Sequence, residues 1–415
     1  MAGNEPRRTR KRRTASPVGD NLVLLAWHAG VRRLRFRLGS WGFSLRLALI
    51  TGNYDSVVDG VALCTQRQVS HFARAGVPVR VYAPASATPA PGDVVRVASV
   101  PFAPPYRLAL GIGPQLHANL AAFRPTIVHV GSPDFLGASA QAWARRRGIP
   151  VVGTFYTHFG SYLHYYRAGF LEPLAWRWLK RFYERCAEVY VPGESMIDEL
   201  RRHGLRANFV VSPFGVDPAQ FAPSHRSETW RAAHAVAPHE IAVLFVGRLV
   251  WEKNLEVFAR AVNRVPGLRP VIVGEGPAGA AFRALLPHAA FTGKLRGDAL
   301  SAAFASCDIF FFPSASETFG CVTVEALASG LPCVVADATG SRDIVRDGVE
   351  GFVRPPTDEV AFAEVLRQLA ADPVLRERLR KQGLERAASF HWEPVLARLL
   401  SHFRRVALTF RNLRT

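Results

Sequence analysis

A chain of 415 residues is too long for one ordinary hydrophobic core and fits two domains. With 49% hydrophobic and 20% charged residues it reads as a soluble globular protein, and the lack of any apolar run of about eighteen residues argues against a membrane-spanning helix. The formal net charge of +19 is uneven: residues 1–46 hold eleven Arg or Lys against Glu5 and Asp20, a net +9.

Within that leading block, residues 7–13 are basic, poor in apolar side chains and expected to be disordered. Residues 22–43 mix Leu, Trp and Phe with Arg32, Arg33, Arg35 and Arg37, a composition that suits an anionic bilayer surface. The block does not read as a secretory signal, because its apolar stretch is short and arginines stand where a small-residue cleavage site belongs. A nucleic-acid-binding arm, a membrane-surface anchor and an upstream extension from a misassigned start codon all remain open for it. Cys64, Cys186, Cys307, Cys321 and Cys333 are scattered, odd in number and mostly in apolar elements, which reads as reduced core cysteine and favours the cytoplasm.

Residues 46–51 form the first predicted strand, followed by a loop from Gly52 to Val61, a helix ending near Gly76, and a strand over 77–82. Gly60, at the join of loop and helix, lets the backbone come close to a ligand. Strands over 126–130, 151–154 and 188–191, spaced by helical segments, argue for a parallel, doubly wound sheet. The loop carrying Tyr156 and His158 leaves the C-terminal end of a strand, the edge where such sheets bind ligands. Residues 162–185 are rich in aromatic and basic side chains; they suit an amphipathic core helix with a solvated face, or a helix that meets lipid headgroups.

The run Ser212-Pro213-Phe214-Gly215-Val216-Asp217, ending at Phe221, marks a boundary, and 222–240 is polar with little periodicity. In the second half a strand over 241–246 leads to Arg248 and Lys253, which flank a turn into a helix. Two cations beside free N–H groups suit a diphosphate. Val271 to Gly279 contains G-x-G-x-x-G, with Asp298 at about the spacing of a dinucleotide site. Against that reading, the fingerprint belongs on the first strand of a nucleotide-binding half, and here an earlier strand carries Arg248 and Lys253. Phe291-Thr292-Gly293 ends a further strand.

The apolar run 308–313 reads as a buried strand feeding a helix that opens near Phe319 or Gly320, so a helix N-terminus offers an anion site. Glu317 stands just before it. Glu325 lies eight residues on, a little over two turns, so both carboxylates can face one ligand. Its neighbours Ala326, Leu327 and Ala328 are core-like, and a carboxylate in such company needs a partner. A strand over 333–336, helices from Asp358 and Pro373, and a tail over 392–413 follow. That tail is apolar at helical spacing (Leu396, Leu399, Leu400, Phe403) with Arg398, Arg404, Arg405, Arg411 and Arg414 interleaved or just beyond.

Glu317 and Glu325, with Thr318-Phe319-Gly320 between and Ala328-Ser329-Gly330-Leu331-Pro332 after, resemble the E-x7-E motif of retaining, nucleotide-sugar-dependent glycosyltransferases of glycosyltransferase family 4. The resemblance extends over about residues 46–395. It implies the α/β GT-B fold: two doubly wound Rossmann-like domains facing a cleft, with a C-terminal helix crossing back. The expected divisions are a basic extension over 1–45, an acceptor-binding domain over 46–212, a linker over 213–240, a nucleotide-sugar domain over 241–390, and a final helix and basic tail over 391–415.

By the same resemblance, Gly60 faces the donor phosphate across the cleft, and Gly247-Arg248-x3-Glu252-Lys253-Asn254 carries the diphosphate. Gly274 and Gly276 form the turn at the nucleotide, Thr292 lies beside the base, and Phe319 and Gly320 complete the donor site. Glu317 would bind sugar hydroxyls and Glu325 the ribose. Relatives place Phe/Tyr-His-Thr-Asn after the 151–154 strand. Here Tyr156 occupies the histidine position and His158 the asparagine position, so either His158 serves through a shifted loop, the Tyr156 hydroxyl serves instead, or the site is altered. The departing phosphate takes the acceptor proton on one face of the sugar, so no protein nucleophile is expected. With no D-x-D and no His/Cys cluster, neither metal nor cofactor is expected beyond the nucleoside-diphosphate sugar itself. The resemblance implies transfer of a hexose from GDP-mannose or a UDP-sugar to a membrane lipid or glycolipid, by a cytoplasmic protein peripheral to the inner face of the membrane and not to nucleic acid. A soluble glycan acceptor, a sugar-nucleotide epimerase and a silent nucleotide-sugar or membrane-binding scaffold stay open.

Overall fold

The computed structural model describes residues 44–57, 59–86, 92–101, 106–111, 114–156 and 169–413. The basic block up to residue 43 and the loop holding His158 lie outside these residues.

The first sheet is built from short, mostly β-branched and aliphatic runs, with His129 and Glu188 among them, and its central strands are buried along their whole length, as parallel strands between helical layers require. Its strands are β1 (Leu47–Ile50), β2 (Val79–Pro84) and β3 (Val94–Val97), and, after a small antiparallel hairpin of β4 (Ser99–Pro101) and β5 (Arg107–Ala109), β6 (Ile127–Val130), β7 (Val151–Thr154), β8 (Glu188–Val191) and β9 (Phe209–Val211). They run β3-β2-β1-β6-β7-β8-β9, all neighbours parallel. The second sheet holds β10 (Ile241–Val246), β11 (Leu268–Val273), β12 (Ala290–Gly293), β13 (Ile309–Phe312), β14 (Cys333–Ala336) and β15 (Gly351–Arg354) in the order β12-β11-β10-β13-β14-β15. In each sheet the strand order reverses beside the first strand, between β1 and β6 and between β10 and β13. Open α/β sheets bind ligands at that point, outside the carboxyl ends of the strands.

The last helix, Trp392–Asn412, crosses back onto the first domain. Leu396, Leu399, Leu400 and Phe403 are all buried, and the Phe403 ring lies 5.7 Å from Phe72 and 5.2 Å from His129. Arg405, one of the arginines interleaved in this helix, ion-pairs at 2.5 Å with the buried Glu188 of β8. The two crossings between the domains run side by side: Val216 N–H donates to Phe390 O at 2.8 Å and Trp392 N–H to Val216 O at 3.3 Å.

The segment 222–240 is more ordered than its pattern suggests. It holds a short helix, Glu228–Ala233, capped by Ser227. The buried Arg231 donates to Ser306 O and Asp308 Oδ2, both at 2.9 Å, and to Glu240 O at 3.0 Å. An anchor made by an arginine leaves no hydrophobic period to read. The strand expected over 77–82 is found two residues later, and the helix expected within 162–185 is seen as Glu172–Tyr183 behind a 3-10 turn, Gly169–Leu171.

Candidate active site

At the second switch point two loops are tied together. After β10 the chain makes a 3-10 turn, Trp251–Lys253, and Asn254 takes a left-handed conformation with φ 54°. Its side-chain amide donates to Pro313 O at 2.8 Å, in the loop after β13, and to Pro356 O at 3.1 Å. That clamp brings Lys253 Nζ to 2.5 Å from Glu317 Oε1 and 3.2 Å from Ser316 Oγ. Ser314 Oγ donates to the same carboxylate oxygen at 3.1 Å. Lys253 and Glu317 are only 16% and 17% exposed, so the pair is largely withdrawn from water and its attraction little screened. Arg248 stands further out, half exposed, with Glu252 at 3.2 Å.

Gly274 and Gly276 are required by packing. A Cβ on Gly274, whose φ is 137°, would stand 1.9 Å from Gly247 O, and one on Gly276 would stand 2.4 Å from Leu249 O. The turn therefore lies directly on the Arg248 loop, with Leu249 N–H donating to Glu275 O at 3.0 Å. Thr292 is close by at the end of β12, its hydroxyl turned to Gly293 O at 3.0 Å.

Gly320, at φ 97°, opens the helix Cys321–Ala328, one residue beyond the expected start. Phe319 is buried and packs edge-on against Phe214 at 5.2 Å. Glu325 is half-buried on that helix; burial pushes its carboxyl up to about 7, and among the described residues none donates a hydrogen bond to it. Cys321, one turn earlier, has its thiol raised by burial and then by Glu325, Cys64 and Glu317, so it stands among both carboxylates and a residue of the first domain.

On the first-domain side, the loop after β1 is organised by Asn53, which sequence reasoning missed. Its amide donates to Val57 O and Asp59 Oδ2, both at 2.8 Å, and its carbonyl accepts from Val57 N–H at 3.2 Å. Asp59 caps the helix Gly60–Arg74 by accepting from Ala62 N–H. Gly60 is exposed, and a Cβ there would meet no atom within 4 Å. Tyr156 is buried: its hydroxyl accepts from Gln68 Nε2 at 3.0 Å, burial raises its pKa well above the usual phenol value, and its ring stacks on Phe214 at 5.7 Å. Tyr156, Phe214 and Phe319 thus form an aromatic path from one domain to the other.

A second link between the domains had no signal in the sequence. Asp343 accepts from Ser195 N–H at 3.1 Å and from Ser195 Oγ at 2.5 Å, while Ser195 Oγ accepts from Gly340 N–H at 3.0 Å. One domain thereby caps the helix Glu194–Arg202 of the other, the role a local side chain ordinarily fills.

Residues 58–220 match the model of Glycosyltransferase Family 4, and residues 226–386 match that of Glycosyl transferases group 1. The GDP-mannose-dependent alpha-mannosyltransferase of Mycolicibacterium smegmatis is 35% identical over 379 residues, covering 87% of this chain and 98% of the relative. The protein of the same name from Corynebacterium glutamicum is 31% identical over 385 residues, covering 88% and 92%. The chain belongs to glycosyltransferase family 4. As a member it is a hexose-transferring enzyme that uses a nucleotide sugar. Its GT-B fold is that of sucrose-phosphate synthase from Thermosynechococcus elongatus, at a TM-score of 0.71 and 22% identity over 88% of this chain and all of the other. Anabaena HepE, solved with UDP and glucose, superposes at 0.69 with 18% identity over 87% of this chain and all of the other.

Proposed function

We propose that this family 4 enzyme transfers mannose from GDP-mannose, with retention, to a lipid or glycolipid acceptor. The observation that carries the reading is the Lys253 and Glu317 pair at the crevice between β10 and β13, where a cation for the diphosphate and a carboxylate for the sugar stand 2.5 Å apart. The near full-length likeness to GDP-mannose-dependent alpha-mannosyltransferases supports the choice of donor.

On this reading Arg248 and Lys253 meet the charge that builds on the leaving diphosphate, electrostatic work that weighs most in such transfers. No metal is needed for it. Glu317 accepts hydrogen bonds from sugar hydroxyls, and Lys253 and Ser314 fix its orientation. Glu325 accepts from the ribose, Gly60 approaches the diphosphate from the first domain, Gly274, Gly276 and Thr292 frame the nucleotide, and Phe319 and Gly320 shape the floor. The bond from the anomeric carbon to the diphosphate oxygen breaks as the acceptor oxygen bonds on the same face, and the acceptor proton passes to the departing oxygen. Because the Tyr156 hydroxyl is held inside the first domain by Gln68, the tyrosine is assigned to positioning and His158 to the sugar. The test has two parts. A thermal-shift series with GDP-mannose, UDP-glucose and UDP-galactose should stabilise the fold only with the true donor. Transfer to a membrane lipid extract in the presence of EDTA, with NMR of the anomeric proton, then decides acceptor, metal independence and retention; an inverted product or an EDTA-silenced reaction overturns the scheme.

A further inference from the structure

The first domain leaves its large apolar side chains exposed in one region. Among the described residues up to 212, every exposed large hydrophobic except Leu63 belongs to the hairpin flanks around β4 and β5, to Phe135, or to the segment 170–178. These parts adjoin. A Cβ on Gly111, just past the hairpin, would stand 2.5 Å from Leu136 Cα, and Trp178 Nε1 donates to Pro133 O at 2.6 Å beside Phe135. The hairpin, Phe135 and Phe170 follow carboxyl ends of strands, the sheet edge that opens on the crevice, and the helix Glu172–Tyr183 runs from there back toward the start of β8. A contiguous exposed apolar patch of this kind marks an interaction surface.

The helix Glu172–Tyr183 decides what the surface meets. Trp176, Leu179, Phe182 and Tyr183 are buried, so Leu174, Trp178 and Arg181 share the opposite face, continued by Phe170 before it and Arg185 beyond. Phe170 is 82%, Leu174 65% and Trp178 40% exposed. Arg177 and Arg181 are exposed beside them, and Arg185 is held below the ordinary guanidinium value by burial and then by the neighbouring charges of Arg181 and Arg145. Glu184, the acid on this side, already accepts from Arg206 N–H at 3.0 Å. Apolar and aromatic side chains ringed by cations fit the interface of an anionic bilayer. A second copy of this chain would bring the same cations face to face.

We propose that this rim docks the enzyme on an anionic membrane, with Phe170, Leu174 and Trp178 entering the interface and Arg177, Arg181 and Arg185 meeting lipid phosphates. The proposal rests on the lipid-acceptor reading and deepens it, since the apolar end of this rim lies at the crevice edge of the acceptor domain. The full chain is sedimented with vesicles of equal parts phosphatidylglycerol and phosphatidylcholine, and with phosphatidylcholine alone. Phe170→Ser with Leu174→Ser, and separately Arg177→Glu with Arg181→Glu and Arg185→Glu, should each lower partitioning to the anionic vesicles by about tenfold or more. Both variants should keep the thermal shift produced by GDP, which certifies their fold. Unchanged partitioning in either folded variant overturns the proposal, as does a concentration-dependent dimer that the substitutions dissociate. Transfer assayed in detergent separates the two readings. Lost vesicle binding with no lipid ever accepting sugar leaves the dock standing and removes the lipid acceptor; unchanged vesicle binding with normal lipid transfer does the reverse.

Discussion

Glu317→Gln keeps the shape of the side chain and removes the charge that faces Lys253. The pair is 2.5 Å apart and about five-sixths withdrawn from solvent, so its loss falls between an exposed ion pair, worth about 0–1 kcal/mol, and a broken buried one, at about 3–5 kcal/mol. A folding cost of about 2 kcal/mol follows, softened because the glutamine amide still accepts from Ser314 Oγ. The catalytic cost is larger in proportion, since the carboxylate is assigned to the donor sugar. A fall of about a hundredfold in kcat/KM, or about 2.7 kcal/mol, is expected. Steady-state kinetics with GDP-mannose, urea unfolding, and a double-mutant cycle with Lys253→Met separate the two effects. The cycle should be strongly non-additive because the residues act as one unit. Near-normal kcat/KM in Glu317→Gln, with donor binding intact, would refute the assignment.

Burial raises Glu325 from 4.5 to about 7, so the folded chain holds a proton that the unfolded chain has released. The stability this allows is full below the unfolded value and is lost as pH rises through about 7, at a cost on the order of 3 kcal/mol at most, less where water reaches the half-buried group. Glu325→Gln should therefore gain stability in urea above about pH 8 and match the parent near about pH 4. Tyr156→Phe leaves the Gln68 amide with only the Cys64 sulfur to donate to and should cost about 1–2 kcal/mol of stability with a mild effect on turnover, whereas His158→Ala should cripple transfer; the opposite order of activities would return the hydroxyl to the chemistry. Gly193→Ala would place a Cβ 2.0 Å from Asp343 Oδ2, breaking the link through Ser195. Small-angle scattering should then show the domains further apart, and an unchanged radius of gyration with GDP bound would show that the link does not hold them.

Buried parallel strands announce themselves because most side chains in a short run are apolar or β-branched, even where a polar one such as Glu188 is buried among them. Ile241–Val246, Val151–Thr154, Glu188–Val191 and Cys333–Ala336 were therefore legible with their bounds, and so was the helical spacing of the tail from Trp392. The E-x7-E motif was legible as a resemblance, but helix pitch does not set both of its carboxylates, because the helix begins at Cys321 and Glu317 stands in the loop before it. Other features join residues that the sequence holds far apart. Lys253 meets Glu317 across 64 positions and Ser195 meets Asp343 across 148, because strand order brings those loops to common crevices. Tyr156 shows the limit most clearly: its place in the motif left open whether its hydroxyl, His158 or neither serves the substrate, and nothing local announces that Gln68, 88 positions away, donates to that hydroxyl in the core. Local pattern determines which elements form and which residues stand at their ends; which of those residues touch is decided only when the sheets close around them.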